Sequence, residues 1–232
     1  MKIPFSWLTE YVDVSKMKAE DVADKLTIAG LEVVMIEKVG GDSIFDIEIT
    51  PNRPDCLNML GIAREVSACL NKKFTPPKLK SPKNVIKERI AIEIKDKNLC
   101  PRYTGRIMRN IKVGPSPKWL VQKMERMGQR SVNNVVDITN FCLFEQGQPT
   151  HAFDYDKIKG KIIVRRAHKG ERMVTIDGKE RTLDPDMLVI ADAEKPVALA
   201  GVMGSKETEV TGSTGNIIFE SAYFDPISIR RT

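Results

Sequence analysis

The sequence predicts an α+β fold, with a small two-layer α/β domain at the N-terminus and a larger α+β domain of mostly antiparallel sheets after it. Two observations carry this prediction. Helical periodicity is confined to separate segments before about residue 146, and short strand patterns then follow one another without helices between them. No alternating strand–helix series of the kind that builds a parallel sheet is present. A length of 232 residues leaves room for one large domain or two smaller ones.

The first domain, expected over residues 1–75, combines two helices with a hairpin. Val22, Leu26 and Ala29 lie on one helical face, and Gly30 is placed to end that helix. Alternating apolar residues around a Gly-Gly turn then predict two paired strands, and a pair of prolines separates them from the second helix. The two strands and the second helix are predicted over residues 31–39, 44–49 and 55–70.

A basic, proline-containing segment over residues 76–88 is predicted to link the domains. Its Pro76-Pro77 pair favours a stiff, extended chain. A strip of lysines that faces RNA is the alternative interpretation. The net charge of +6 and a pI near 9.1 are compatible with a polyanionic partner such as RNA, although charge alone does not identify one.

The second domain, expected over residues 89–232, contains strands and two helices. For the first helix, Ser116 is predicted as the N-cap and Pro117 as the first helical residue, with Gly128 at the end. Its buried stripe is predicted to be core rather than a cofactor site, and consists of Leu120, Met124 and Met127. The second helix is predicted over residues 134–145. The strands are predicted over residues 90–94, 102–108, 162–165, 172–176, 188–191 and 217–219.

Several function classes are disfavoured by the same sequence. No window has the apolar length of a membrane span, and the first ten residues do not form a signal peptide, so we expect a cytoplasmic protein without a membrane partner. The four cysteines are scattered without a CxxC pair, which predicts reduced thiols and no metal site. No sequence-reading RNA motif is found.

The segment from residue 49 to 57, which reads ITPNRPDCL and runs on into GIARE at 61–65, resembles the signature of the bacterial-type phenylalanyl-tRNA synthetase β subunit. Further segments resemble the same family in the same order: WL and YV near the start, LTIAGLEV at 26–33, CPRY at 100–103, RS at 130–131, DITN at 137–140, GQPTHAFD at 147–154 and LVIAD at 188–192. The resemblance implies a B3/B4-type tRNA-editing domain in the second half, incomplete at its C-terminal end.

Two departures from the family pattern accompany the resemblance. Bacterial members usually carry an oligonucleotide-binding (OB) domain inserted near the first hairpin, and here only residues 40–43 stand at that place. The family also continues into a C-terminal core that this sequence does not reach. The resemblance therefore implies an N-terminal region of the β subunit rather than the whole.

The implied function is part of phenylalanine–tRNA ligase: proofreading hydrolysis of tyrosyl-tRNA(Phe) in support of tRNA aminoacylation and protein biosynthesis. This chain alone would be at most an aminoacyl-tRNA deacylase, and would not aminoacylate. It would need no cofactor, since ATP and Mg²⁺ serve only the complete α/β enzyme. The implied partners are tRNA(Phe) and the α subunit, in an α2β2 heterotetramer. A non-catalytic module for tRNA docking and subunit assembly is the alternative, and a free-standing nucleic-acid-binding protein is a weaker one.

The resemblance also implies the residues of an editing site. Glu220 corresponds to the glutamate that recognises a phenol hydroxyl, and Gly204 to the glycine that leaves room for the tyrosyl ring. His151, expected in a turn over residues 148–154, would position the ester or terminal ribose. Arg130 would donate to phosphate or ribose oxygens. Asn140 would orient substrate or water. Each residue also has a plainer interpretation: a strand-end surface carboxylate for Glu220, a tight turn for Gly204, a structural histidine for His151, a solvated charge for Arg130 and a packing residue for Asn140.

No catalytic group is assigned with these five residues. No Ser/His/Asp or Cys/His set can be assembled, so hydrolysis is expected to use a positioned water, with His151 the single side chain considered for a direct part. Asp137 and Asp154 are expected to fix loops and helix ends by accepting hydrogen bonds from backbone N–H groups.

Overall fold

A computed structural model describes residues 1–80 and 86–232 and confirms the α+β class. The chain forms two compact units, each built from two stretches of sequence. The first unit takes Met1–Lys83 and Pro115–Gln148, and the second takes Asn84–Gly114 and Pro149–Thr232. This division differs from the expected one, because residues 115–148 pack with the N-terminal residues rather than with the second domain.

The first unit is a three-stranded antiparallel sheet covered by helices. The strands have the order β1-β3-β2, and the two residues Gly40 and Gly41 connect β2 to β3, both with positive φ. The elements of this unit are β1 (Lys2–Pro4), α1 (Phe5–Leu8), α2 (Ala19–Ile28), β2 (Val33–Val39), β3 (Asp42–Ile47), α3 (Met59–Leu70), α4 (Lys118–Arg126) and α5 (Asn134–Gln146).

One apolar core explains why α4 and α5 belong to the first unit. Leu120, Met124 and Met127 are buried in the same cluster as Trp7 and Phe45. The stripe predicted on α4 is therefore core, but it is the core of the N-terminal unit. Burial of such side chains stabilises the fold by about 1.5–3 kcal/mol each, which fixes the helix on this unit.

The N-cap predicted for α4 is wrong. Pro117, not Ser116, occupies the N-cap position, and no side chain caps this helix end. The Ser116 hydroxyl instead donates to the carboxylate of Asp137, which lies in α5. The start of α5 is capped in the usual way, because the Asn133 side chain accepts from the backbone N–H groups of residues 135 and 136.

The second unit contains a five-stranded sheet, a three-stranded sheet and a small hairpin. The strand orders are β12-β11-β10-β7-β4 and β5-β13-β6, with β8 paired to β9. Only the pair β4–β7 is parallel among the described strands. The elements are β4 (Ala91–Ile94), β5 (Arg102–Met108), β6 (Thr150–Asp154), β7 (Lys161–Arg166), β8 (Arg172–Val174), β9 (Glu180–Thr182), β10 (Leu188–Ala191), β11 (Pro196–Leu199), β12 (Met203–Gly204), β13 (Ile217–Tyr223) and α6 (Pro226–Arg231).

The main core of the second unit takes side chains from both larger sheets. Phe153 and Ile218 come from the three-stranded sheet, and Val164, Ile190 and Val197 from the five-stranded sheet. A smaller cluster lies with the β8–β9 hairpin and includes Val189 of β10 and Leu199 of β11. Alternation along β10 thus divides its side chains between two apolar clusters, since Ile190 belongs to the main core.

Two segments predicted as turns are strands. Residues 148–154 were expected to form a turn, but Thr150–Asp154 is β6, which pairs antiparallel with β13. Gly204 was likewise assigned a tight turn in its plainer interpretation, and it lies in β12 beside β11. The partner of β6 is distant in sequence, and local patterns do not report such pairing, whereas β12 is a two-residue strand that follows its partner β11 closely.

The linker predicted over residues 76–88 can be followed in part. Residues 76–80 and 86–88 have no regular secondary structure, while residues 81–85 lie outside the described part of the chain. Within residues 1–80 and 86–232, no helix combines the length and apolar character that crossing a bilayer requires.

Candidate functional site

Three predicted site residues of the second unit meet around the three-stranded sheet. In β13, the central strand, Glu220 lies directly opposite Gly105 of β5 on one side and His151 of β6 on the other. Directly opposite residues of an antiparallel pair project from the same face. Glu220 and His151 are therefore neighbours on the face that carries Phe153 and Ile218 into the core.

Glu220 is a buried carboxyl group with one protein donor. Its side chain is only 6% exposed, and Oε2 accepts a hydrogen bond of 2.8 Å from the Tyr103 hydroxyl. Burial raises the pKa of Glu220 to about 7, because the charged form loses its hydration, while the bond from Tyr103 acts in the opposite direction. The group therefore titrates near physiological pH, and Glu220 is part of the sheet interior rather than an exposed strand-end carboxylate.

The second carboxylate oxygen of Glu220 has no protein donor. No side-chain or backbone group in residues 1–80 and 86–232 donates to Oε1. In the same described part, no side-chain oxygen is both sealed from solvent and without a partner. Oε1 is therefore not completely sealed from solvent, although Glu220 as a whole is buried.

His151 stands beside Glu220 as a partly buried imidazole. Its ring meets the ring of Phe153 edge to face, with 4.6 Å between centroids. Burial lowers the pKa of His151 to about 4, because the imidazolium form is poorly hydrated there. At neutral pH the ring is uncharged, and it can serve as both a hydrogen-bond donor and an acceptor.

Gly204 brings the backbone of β12 up to the same imidazole. A Cβ at this position would lie 2.7 Å from Nε2 and 2.8 Å from Cε1 of His151. Gly204 is not among the glycines with positive φ, so backbone conformation does not require glycine here. The close approach to His151 is the reason that no side chain fits.

The other two predicted site residues belong to the first unit. Arg130 is exposed in the segment between α4 and α5, and Asn140 lies partly buried within α5. The structure thus brings Glu220, Gly204 and His151 together and assigns Arg130 and Asn140 to a different compact unit.

Asp137 and Asp154 have the structural roles expected of them. The buried Asp137 carboxylate accepts from the Ser116 and Ser131 hydroxyls and from the backbone N–H of Val132. The buried Asp154 carboxylate accepts from the Thr214 hydroxyl at 2.7 Å and from the backbone N–H of residue 156. Both carboxylates hold loops in place.

One cluster of potential metal ligands lies elsewhere, in the first unit. The ligand atoms of Asp55, Cys56 and Glu65 lie within 4.8 Å of one another. The Arg53 guanidinium already forms ion pairs with two of these residues, at 2.9 Å from Asp55 and 2.7 Å from Glu65. An arginine supplies the positive charge that a metal ion would bring, so this cluster is explained as an ion-pair network.

Tyr103 is the residue of this site that sequence reasoning missed. The alternation in β5 gave a usable signal, since Tyr103 and Ile107 face inward while Arg102, Thr104 and Arg106 face outward. A tyrosine on an inward position must find a partner for its hydroxyl. The sequence did not say that this partner is Glu220, which is 117 residues away.

Comparisons with known proteins agree with the fold and with the resemblance. A family model described as the B3/4 domain matches residues 99–232. The phenylalanine–tRNA ligase beta subunit of Protochlamydia amoebophila is 52% identical over 194 residues, which cover 82% of this chain and 24% of that protein. That of Moorella thermoacetica is 49% identical over 230 residues, which cover 95% and 28%. The chain spans about a quarter of the length of these curated relatives.

A solved structure has the same fold. The N-terminal fragment of the phenylalanyl-tRNA synthetase beta subunit from Pyrococcus horikoshii superposes with a TM-score of 0.52 over 98% of this chain and 69% of that one, at 17% identity. At that identity the likeness concerns the fold alone. The sequence identities and the matched domain confirm the resemblance first seen at residues 49–57, and the chain therefore belongs to the B3/4 domain family and to the phenylalanyl-tRNA synthetase β-subunit family.

Proposed function

We propose that this chain proofreads tRNA(Phe) by hydrolysing the ester that joins it to wrongly attached tyrosine. The observation that carries the proposal is Glu220, a buried carboxyl group with one oxygen hydrogen-bonded to Tyr103 and the other without a protein donor in the described part of the chain. A phenol hydroxyl is the feature that distinguishes tyrosine from phenylalanine, and it is a good donor for that free oxygen.

Selectivity follows from the cost of an unsatisfied polar group. An apolar pocket shaped for phenylalanine rejects an isostere with one added hydroxyl by only about a hundredfold, so some tyrosine is charged. A site that hydrogen-bonds the hydroxyl discriminates far more strongly, since phenylalanine would cover Glu220 without pairing it. Glu220 supplies that acceptor in this proposal.

His151 and Gly204 would shape the rest of the pocket. The uncharged His151 ring is suited to orienting an ester or ribose oxygen, and its lowered pKa makes it a weak general base. Gly204 would let β12 approach this ring without a side chain in the way. Water would attack the ester carbonyl, and the tRNA ribose hydroxyl would leave with a proton, without a cofactor or a covalent intermediate.

The proposal extends to the first unit and to partners. Arg130 would contact phosphate or ribose oxygens of the RNA, and Asn140 would orient substrate or water. The partners would be tRNA(Phe) and the catalytic α subunit of an α2β2 ligase acting in the cytoplasm. This chain would contribute hydrolysis and no aminoacylation.

A non-catalytic role in tRNA docking and subunit assembly is the second candidate. The observation that favours it is coverage, since the chain spans about a quarter of its relatives' length. Under this alternative the pocket would bind without turning over, and activity would need further parts of the longer proteins.

Deacylation assays decide between the two candidates. Tyrosyl-tRNA(Phe) and phenylalanyl-tRNA(Phe) would be incubated with the 232-residue chain, with Glu220→Ala, and with Glu180→Ala as a control at an exposed glutamate. The proposal predicts hydrolysis of the tyrosyl ester alone, lost in Glu220→Ala and kept in Glu180→Ala. Hydrolysis of neither ester favours the docking role, and equal hydrolysis of both contradicts recognition by Glu220.

A further inference from the structure

Tyr103 and Glu220 form a diagonal pair across two strands. In the register of β5 and β13, Tyr103 lies opposite Ala222, two residues beyond Glu220. A tyrosine is long enough to reach such a diagonal neighbour on the same face. The two side chains are 7% and 6% exposed, and 2.8 Å separates the Tyr103 hydroxyl from Oε2 of Glu220.

We propose that Tyr103 is the positioning residue that sets the selectivity of the site, by holding Oε2 of Glu220 so that Oε1 points at the phenol of a bound tyrosyl group. This inference rests on the proposed function. The Glu220 side chain has several rotatable bonds, and one hydrogen bond from a residue of a neighbouring strand fixes which oxygen faces the ligand. Without this hydrogen bond, the carboxylate could rotate, and Oε1 would no longer be held toward the ligand.

The groups around Glu220 explain why one hydrogen bond has such influence. Tyr103 from β5, His151 from β6 and the buried Cys100 thiol are the titratable groups that face it, and none of them brings a positive charge at neutral pH. The core residues from the five-stranded sheet are apolar. The Tyr103 hydroxyl is therefore the only protein donor to the carboxylate in the described part of the chain.

Removing that donor has a predictable effect on pH dependence. The hydrogen bond from Tyr103 favours the ionised carboxylate and lowers the pKa of Glu220. In Tyr103→Phe the pKa should rise, so that less carboxylate is ionised at neutral pH. Selective hydrolysis of the tyrosyl ester should then appear only at higher pH than in the wild type.

The test compares Tyr103→Phe with Tyr11→Phe. Tyr11 also donates to a buried glutamate, Glu145, but in the first unit, so its replacement removes that hydrogen bond and the one from the Trp7 indole without touching Glu220. The measured quantities are the ratio of kcat/KM for tyrosyl-tRNA(Phe) to that for phenylalanyl-tRNA(Phe), and the pH midpoint of that ratio. Thermal unfolding would confirm that each variant is folded at the assay temperature.

The expected result is a fall of about tenfold in the ratio for Tyr103→Phe at neutral pH, with the midpoint moved upward, and an unchanged ratio and midpoint for Tyr11→Phe. An unchanged ratio and midpoint in Tyr103→Phe would overturn the positioning role while leaving the proposed function intact. An equal change in both variants would overturn it too, by showing a general loss of stability. A wild type without selective hydrolysis would overturn the proposed function and this inference together.

A measurement on the unmodified chain covers the case in which Tyr103→Phe does not fold. The hydroxyl proton of Tyr103 and the carboxyl carbon of Glu220 would be followed by NMR through a pH titration, before and after adding free tyrosine as the probe. A common midpoint, and a shift of the Glu220 carbon with tyrosine but not with phenylalanine, supports the inference. Separate midpoints, or the same response to both amino acids, contradict it.

Discussion

Each compact unit contains a buried tyrosine–glutamate pair, and the two pairs differ in whether both carboxylate oxygens of the glutamate have a hydrogen-bond donor. In the first unit, Tyr11 donates to Oε1 of Glu145 and accepts from the Trp7 indole at 3.0 Å. The second oxygen of Glu145 accepts from the Gln146 amide at 3.3 Å. In the second unit, Tyr103 donates to Glu220, and the other oxygen of Glu220 has no protein donor in the described part of the chain.

This difference separates a structural pair from a candidate binding pair. A buried polar group is costly when unpaired, so a network in which every oxygen has a donor stabilises the fold and leaves nothing for a ligand. A buried carboxyl group with one free oxygen leaves an acceptor for a partner from outside. Residue type and burial are alike in the two pairs, and only the count of donors tells them apart.

The largest effect on stability is expected for the Tyr11–Glu145 pair, in which both carboxylate oxygens have a donor. Tyr11→Phe leaves both the Trp7 indole N–H and the Glu145 carboxylate without their partner, at about 1–3 kcal/mol each. We expect the free energy of unfolding to fall by about 4 kcal/mol, and Tyr103→Phe, which affects one group, to cost about 1–2 kcal/mol. Urea denaturation of both variants measures these losses. A larger loss in Tyr103→Phe would show that the Tyr103–Glu220 pair contributes more to stability than the Tyr11–Glu145 pair.

The next effect is the pH dependence of stability that Glu220 causes. The folded pKa of Glu220, about 7, lies above its ordinary value of 4.5, so its protonated form stabilises the fold below pH 4.5 and that stability is lost as pH rises through 7. Relative to Glu220→Gln, the wild type should lose about 3 kcal/mol of unfolding free energy between pH 4.5 and about pH 8.

Comparison with the variant is needed because His151 acts in the opposite direction. Its folded pKa is lowered to about 4, so its contribution is present above its ordinary value of 6.5 and is lost as pH falls through 4. Denaturation curves of wild type and Glu220→Gln, recorded at matched pH values, isolate the Glu220 part. A constant difference between the two proteins across this range would refute the raised pKa.

A smaller effect is expected at Gly204. In Gly204→Ala the added methyl group would meet the His151 ring and displace it, which we expect to cost about 1–3 kcal/mol and to reduce tyrosyl-tRNA hydrolysis. Gly212→Ala is the control, since nothing lies within 4 Å of a Cβ there and φ is not positive. Equal unfolding midpoints and equal rates for the two variants would show that the close approach does not matter.

The smallest effect on stability is expected at Arg130. This exposed arginine should change the free energy of unfolding by less than about 0.5 kcal/mol when replaced by alanine. If it contacts RNA as proposed, Arg130→Ala should bind tRNA(Phe) more weakly and with a salt dependence reduced by about one phosphate contact. Filter-binding curves at several salt concentrations test this, and an unchanged slope would argue against a phosphate contact.

Local patterns predicted much of this fold. The helices over residues 19–28, 59–70, 118–126 and 134–146, and most strands, follow from apolar periodicity and from Gly, Pro and Asn at the ends. The Gly40-Gly41 pair predicted as a turn joins β2 directly to β3. These features depend on neighbours in sequence, which the sequence displays directly.

What escaped prediction depends on contacts distant in sequence. Strand β6 is a strand because β13 pairs with it, and α4 joins the first unit because Met124 packs into a core formed by residues 3–66. The family resemblance identified Glu220, Gly204 and His151, while their adjacency and the part of Tyr103 required the register of β5, β13 and β6. No periodicity along the chain encodes that register.

The interleaved course of the chain determines how this protein can be divided. A fragment beginning at residue 99, where the B3/4 domain match starts, would lack β4, the parallel neighbour of β7. It would also carry α4 and α5, with Leu120 and Met124 deprived of the residues that bury them. A fragment that begins at residue 99 is therefore an incomplete second unit carrying two helices of the first. A gene that joins residues 84–114 directly to 149–232 would be the rational way to obtain the second unit by itself.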